Sequence, residues 1–292
     1  MIPRLFFLTP LLLLCGCTDP YRVPEQEKAK TTLRWAIENP ARRPVELWLH
    51  QGHTLVESAP AGSNLVDVIV DVTIHAKERK EAQRLLDDLD QSRPRSTDQT
   101  IKLQLTLPLG AALESVEMNY RVLVPADCEL RIFTKSGRVA LRSFAGKARV
   151  ESESGDISAR LDGGDVTLYS GTGTVRVEGA FHRANLKSRS GALELVVPEM
   201  ADGTLAALES ETGSVGLEMS ATASVTLDYR SQSGKIDSEL PLLVSDSESR
   251  PSTRERAFVG KLGEKLRDTL ARITVRTDQG TFSVRKLPDG TR

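Results

Sequence analysis

The sequence predicts a mostly β chain: a β-solenoid with coils of about 18–22 residues, behind a smaller N-terminal β region carrying one amphipathic helix. Three observations predict it. Ser/Thr-Gly steps recur at Gly137, Gly155, Gly173, Gly191, Gly213 and Gly234, and Gln279-Gly280 is a last copy; the glycine spacings are 18, 18, 18, 22, 21 and 46. Apolar side chains hold columns relative to each glycine. Seven residues before stand Leu130, Ala148, Val166, Ala184, Ala206, Leu227 and Ile273; two after stand Val139, Ile157, Val175, Leu193, Val215, Ile236 and Phe282. Three residues before, every copy has a small hydroxyl: Thr134, Ser152, Ser170, Ser188, Ser210, Ser231 and Thr277.

Period-two alternation buries one face of a strand. The buried set is odd-numbered relative to the glycine before it and even-numbered after it. The step therefore inserts a one-residue parity shift, which suits glycine's access to positive φ. Strand, corner, second strand and return loop in about 18 residues make one solenoid coil, which stacks on neighbours to bury its face. The hydroxyl column then forms a ladder inside the corner. Seven coils at roughly 4.8 Å each predict a core about 30 Å tall. An antiparallel meander with glycine turns is the competing arrangement. A calcium-binding β-roll lacks support, because Asp162-Gly163-Gly164-Asp165 is the sole imitation of its repeat.

Residues 1–16 read as a signal peptide: Arg4 precedes an apolar run, Leu5 to Leu14, too short to span a membrane as a mature helix. Leu14-Cys15-Gly16-Cys17 resembles the bacterial lipobox. The resemblance implies cleavage before Cys17 and lipidation of its thiol. Multiple acyl chains there would anchor the chain stably, since one chain binds only marginally. Thr18 rather than Asp follows, which by resemblance to the enterobacterial sorting rule implies the outer membrane. Cys15 leaves with the signal, so Cys128 alone remains and no intramolecular disulfide forms.

Residues 17–32 hold Pro20 and Pro24 and predict a lipidated tether. Residues 33–128 predict an N-terminal β-rich region. Val45, Leu47 and Leu49 alternate; Leu65 to Ile74 is rich in branched residues; Ile101 to Leu107 and Met118 to Val124 alternate again. Between them Ala82, Leu85, Leu86 and Leu89 fall at helical spacing, predicting a helix over 76–91. Residues 129–240 hold the solenoid repeats. Residues 241–272 predict a loop or helical insertion, with Phe258, Leu262, Leu266 and Leu270 four apart but Gly260 and Gly263 among them. Residues 273–292 are the terminal solenoid strands.

The mature part of this 292-residue, 32.0 kDa chain has near-zero net charge, −2 after loss of Arg4, so no basic field attracts nucleic acid. Nucleotide-binding, hydrolase-elbow and zinc-protease motifs are absent from the sequence. His50 and His53 flank the Gly52 turn without converging carboxylates or thiols. No cofactor or metal is expected. Asp156, Asp162 and Asp165 are the candidates for a polysaccharide-processing enzyme on a solenoid face; as neighbours of glycines they also read as turn formers.

Val124-Pro125 through Gly137, the repeated S/T-x-S-G-x-hydrophobic coils and the closing Thr277 to Phe282 segment resemble the adhesin-like domain-of-unknown-function family of bacterial envelope proteins. Its relatives include auto-transporter adhesin head domains. The resemblance implies a β-solenoid, a surface or periplasmic location and no established catalytic residues. The expected function is a lipid-anchored, non-catalytic envelope solenoid that presents an outward strand face to a protein or glycan. The candidate face is Phe133, Glu151, Tyr169, Lys187, Glu209 and Arg230, the column four residues before the glycines. A structural spacer is the third reading. Partners expected are the membrane, through Cys17, and an envelope protein or glycan.

Overall fold

The computed structural model describes residues 27–90, 94–105, 116–245, 256–264 and 270–288. The signal segment 1–16, Cys17 and the tether up to residue 26 lie outside the described residues. The tether expected over 17–32 ends earlier, because Glu27 already begins a strand.

The N-terminal region supplies β1 (Glu27–Glu38), β2 (Val45–Leu49), β3 (His53–Ser58), β4 (Leu65–Ala76), α1 (Arg79–Asp90), β5 (Arg95–Ser96), β6 (Ile101–Gln104) and β7 (Val116–Val124). The repeats follow as pairs of strands, each pair bent at one Ser/Thr-Gly step: β8 (Glu129–Thr134) with β9 (Val139–Phe144), β10 (Lys147–Ser152) with β11 (Ile157–Asp162), and β12 (Asp165–Ser170) with β13 (Val175–Ala180). Then come β14 (Arg183–Ser188) with β15 (Leu193–Val197), β16 (Leu205–Ser210) with β17 (Val215–Met219), and β18 (Val225–Ser231) with β19 (Ile236–Ser238). The chain ends on β20 (Leu242–Val244), β21 (Arg256–Leu262), β22 (Arg272–Thr277) and β23 (Phe282–Lys286).

These strands form two large mixed sheets. One has eleven strands in the order β1-β4-β7-β3-β9-β11-β13-β15-β17-β23-β19; the other has twelve, β20-β21-β18-β22-β16-β14-β12-β10-β8-β2-β6-β5. Each repeat gives its first strand to the twelve-stranded sheet and its second to the eleven-stranded one. Within the repeats all pairing is parallel, and the register follows the glycine spacing: Ala148 faces Val166, which faces Ala184, which faces Ala206. An antiparallel meander therefore does not describe this region. Inner residues from both sheets form one core cluster, including Ile132, Val150, Leu168 and Leu186 from one and Leu141, Ala159, Val177 and Leu195 from the other.

The corners explain the invariant columns. Thr134 donates its hydroxyl to the Ser136 carbonyl at 2.9 Å, whereas in the later copies the side-chain oxygen accepts a hydrogen bond from the glycine N–H three residues on: Gly155 to Ser152 at 2.7 Å, Gly173 to Ser170 at 2.9 Å, Gly191 to Ser188 at 2.8 Å, Gly213 to Ser210 at 2.9 Å. Gly234 and Gly280 repeat this with Ser231 and Thr277. All of these hydroxyl residues are buried, so the bond satisfies a donor that water cannot reach.

The glycines themselves serve a purpose other than the one the parity shift suggests. Only Gly137, at φ 102°, uses the left-handed region among the seven. At the others the constraint is stacking. A Cβ on Gly155 would come closer than 3.0 Å to the carbonyl oxygen of Gly137; the same holds for Gly173 on Gly155, Gly191 on Gly173 and Gly213 on Gly191. The corners of successive repeats are thus in backbone contact.

That ladder also reveals two departures from chain order. At one end Gly280 sits on Gly213, and Gly234 sits on Gly280. The strands over 273–292, expected to close the stack, are instead inserted between the repeats of Gly213 and Gly234: β22 lies between β16 and β18, and β23 between β17 and β19. At the other end Gly137 sits on Gly52. The pair β2 and β3 is a further repeat, parallel to β8 and β9, and β6 and β7 stack on its far side.

Both ends are finished differently. β1 and β4 pair antiparallel over twelve residues, and α1 packs on both. Ala82, Leu85, Leu86 and Leu89 bury there with Ala29 and Leu33. At the other end the segment expected to be a loop or helix forms β20 and β21; β21 pairs antiparallel with β18, and β20 antiparallel with β21. Phe258 and Leu262 are strand residues; Leu266 lies outside the described residues. Phe258 and Phe282 meet the buried Tyr229 ring, at 5.4 and 5.8 Å between centroids.

Replacing a stacked corner glycine should be costly and replacing a strand glycine should not. Gly191→Ala is expected to lower the unfolding free energy by about 3 kcal/mol, the upper end of the range for forced overpacking, because the clash is with backbone that cannot turn aside. Gly216→Ala, whose Cβ would meet nothing nearer than 3.8 Å, should raise it by about 0.5–1 kcal/mol. Urea unfolding of the two variants beside the parent reads the difference; equal effects would remove the stacking explanation.

Candidate functional site

The in-register parallel ladder converts a sequence column into a physical row. On the outward face of the twelve-stranded sheet, Phe133 faces Glu151, Glu151 faces Tyr169, Tyr169 faces Lys187 and Lys187 faces Glu209. These five predicted residues are brought together on adjacent strands. Arg230 is in the same row, but Arg276 of the inserted β22 stands between it and Glu209. Trp48 continues the row beyond Phe133, and Gln104 beyond Trp48. Sequence reasoning missed Trp48 and Arg276. The signal was present: each lies four residues before its glycine, Gly52 and Gly280.

Trp48 and Phe133 stack, with centroids 4.4 Å apart and planes 25° apart. The Lys102 ammonium lies 4.6 Å from the Trp48 ring centroid, a cation–π contact. Trp48 is 39% exposed. Tyr169 is half-buried three strands from Trp48, about 14 Å at the usual strand separation. A hollow of about 310 Å³ lies between them, lined by Trp48, Phe133 and Tyr169, with Gln104, His50, Lys135, Glu151 and Glu153 among its polar groups. Tyr169 also borders a second hollow, of about 260 Å³, whose lining includes Lys187, Arg189, Glu209, Glu211, Arg276 and Asp278. The two make one groove across the strands, aromatic at one end and charged at the other.

Its charges are of both signs, and some are paired. Arg149 Nε donates to Glu151 at 2.5 Å, and Lys187 Nζ lies 2.7 Å from Glu209. At the corner rim Lys135 precedes Glu153 in the next repeat, and Arg189 precedes Glu211. Such exposed pairs add little stability, but they leave the groove without a strong field of one sign.

The remaining predicted chemistry does not assemble. β11 holds Asp156 before its first residue and Asp162 at its last, about 20 Å apart along an extended strand. Asp156 accepts the Thr174 N–H at 2.9 Å. Asp162 and Asp165 flank the return corner at Gly163 and Gly164, whose φ values are 132° and 81°. His50 lines the aromatic hollow, whereas His53 borders a separate hollow of about 420 Å³ on the other sheet. His75 meets Glu117 at 3.1 Å. Among the described residues no three His, Cys, Asp or Glu side chains gather as a metal set, and no helix is long and apolar enough to cross a membrane.

No protein-family model matches the chain, and no curated protein matches it. Three solved structures align over most of it. One is a candidate cell adhesion protein from Clostridium sporogenes, 9% identical over 90% of this chain and 100% of the other, with a TM-score of 0.31. A candidate adhesin from Bacteroides fragilis is 10% identical over 89% and 98%, at 0.39. A candidate lipid-binding protein from Parabacteroides distasonis is 13% identical over 89% and 97%, at 0.40. Likenesses at these scores carry no argument about function.

Cys128 is excluded as a nucleophile by its surroundings. It is buried, its Sγ donates to the Arg43 carbonyl at 3.0 Å, and burial, with Asp127 nearby, pushes its thiol up to about 11. A thiol with a raised pKa is protonated at neutral pH and unreactive. Alkylation at pH 8 should therefore leave the Cys128 peptide unmodified in the folded chain and label it fully in urea, as read by mass spectrometry. The raised folded value also means that this thiol favours folding below the unfolded pKa near 9, a contribution lost as pH rises toward 11.

Proposed function

We propose that this chain is a non-catalytic β-solenoid, held at the bacterial envelope by a lipid on Cys17, that binds a protein or glycan on the outward face of its twelve-stranded sheet. The observation that carries the reading is the row Trp48–Phe133–Glu151–Tyr169–Lys187–Glu209–Arg276. It places three aromatic rings and several paired charges on a rigid parallel ladder. The whole chain has only two Trp, four Tyr and seven Phe. Three of them on one outward row is a concentration that core packing does not require, and exposed aromatic surface of this kind marks a recognition site.

The solenoid description is supported by the parallel, in-register stacking of strand pairs and by the continuous corner ladder. The binding reading is favoured over the enzymatic one because Asp156, Asp162 and Asp165, the acids an enzyme on this fold would draw on, stand apart at strand ends and return corners. The envelope location rests on the lipobox resemblance.

Site-specific photocrosslinking in cells tests the face. A photoreactive residue at Glu151, Lys187 or Arg276 of the full-length chain is expected to give a shared discrete adduct. The same residue at Glu194, on the outward face of the other sheet, should not. Adducts equally frequent from both faces, or absent from all positions of the folded and anchored chain, would overturn the proposal.

A further inference from the structure

We infer that the aromatic hollow on the twelve-stranded sheet is a binding site for a neutral glycan lying across the strands. This rests on the reading of that face as a binding surface and names its ligand class. The rings of Phe133 and Tyr169 offer π-surface to polarised C–H groups, which line the flat side of a pyranose ring, and Trp48, stacked on Phe133 on one side and capped by Lys102 on the other, holds the Phe133 ring in place and lines the hollow with its edge. Around them Gln104, Glu151 and Glu153 present amide and carboxylate oxygens that accept hydrogen bonds from hydroxyls, Glu151 held in place by Arg149. This pairing of ring faces with convergent polar groups suits a ligand that is apolar on one side and hydroxylated at its edges.

Three observations separate this ligand from others. Leu49, itself buried, is the one aliphatic side chain lining the hollow among the described residues, so its apolar surface is ring edge and face rather than the aliphatic groove that takes the stripe of a docking helix. The row lies in the middle of a sheet, with β2, β8, β10 and β12 all paired on both sides, so no strand of a partner can be added there. The charges at the aromatic end are of both signs: Glu151 is paired with Arg149, Lys135 lines the hollow together with Glu153, and Lys102 is engaged over the Trp48 ring. A ligand carrying net charge gains no steering from such a surface. The aromatic row spans about 14 Å across three strand steps, which calls for an extended oligomer rather than a single sugar.

Trp48 is one of two tryptophans, so a Trp35→Phe background makes its emission specific to the hollow. The full-length chain in detergent would be titrated with neutral hexameric oligosaccharides of glucose, mannose, galactose and N-acetylglucosamine, and with a uronic-acid hexamer. The expected result is a saturable change in Trp48 emission with at least one neutral oligomer. Calorimetry with the same oligomer should show about tenfold or greater weakening in Tyr169→Ala and Trp48→Ala. Trp48→Phe, which keeps a ring, should retain part of the affinity, and Glu194→Ala, on the outward face of the other sheet, all of it. Binding of the uronic-acid oligomer alone, lost in Arg276→Ala, would overturn the neutral-glycan inference while leaving the binding face in place. No response to any oligomer would overturn it too. A protein adduct from Glu151 in cells would then keep the broader reading, and its absence would remove both.

Discussion

The corner ladder is the interaction on which the rest of this structure depends. Each corner glycine lies against the carbonyl of the glycine in the preceding repeat, and no side chain fits between them. The hydroxyl three residues earlier then takes the glycine N–H that the tight corner would otherwise leave unsatisfied. Together they fix the vertical register of successive repeats at one residue per repeat. Because a strand's side-chain period is two, any slip of one residue would turn Ile132, Val150 and Leu168 outward. The corner therefore protects the core pattern, and the core pattern supplies the burial that holds the corners together. The outward row inherits its alignment from this coupling without contributing to it.

The repeats were legible because three things coincide at every copy: apolar columns, a hydroxyl and a glycine. Where one fails, the sequence falls silent. The Gly52 repeat keeps Val45 and Leu47 in the apolar columns, yet Leu49 stands where the hydroxyl belongs and some 85 residues separate it from Gly137. It consequently reads as an isolated strand pair, and Trp48 goes unnoticed as the neighbour of Phe133. The Gly280 repeat is recognisable by Thr277 and Phe282, but periodicity along a chain says nothing about spatial order, so its insertion beside Arg230 is invisible. Phe258 and Leu262 mislead for another reason. Four-residue spacing matches a helix, but it is also an even number, and an even spacing equally puts both residues on one side of a strand.

Insertion at both ends has a physical consequence. β2 and β3 are held between β6–β7 and β8–β9, and β22 and β23 are held between β16–β17 and β18–β19. A stack of repeats whose strands follow chain order can fray one repeat at a time from its ends. Here each terminal repeat is backed by a segment distant in sequence, so releasing it means breaking two ladders. The free edges are managed as well. β5 has two residues, and β19 and β20 have three each, which offers little template for another chain. The long edge strand β1 carries Lys28, Lys30 and Arg34 at exposed positions, which discourages edge pairing.

The result is a division of labour between the two sides of each strand. Inner columns, hydroxyls and corner glycines carry stability; their residues are interchangeable only within tight limits of size and polarity. Outward residues carry almost none, since ion pairs such as Lys187 with Glu209 are exposed and of small net worth. A surface relieved of structural duty is free to differ from repeat to repeat, and this one does: Trp, Phe, Glu, Tyr, Lys, Glu and Arg follow one another where the inner columns hold branched aliphatics and alanine, with Tyr229 and Phe282 the aromatic exceptions at the far end. Core packing would have been served by any soluble side chain in that row. That its rings sit side by side at one end, in a chain otherwise sparing with aromatics, is the reason to look there for what the molecule binds.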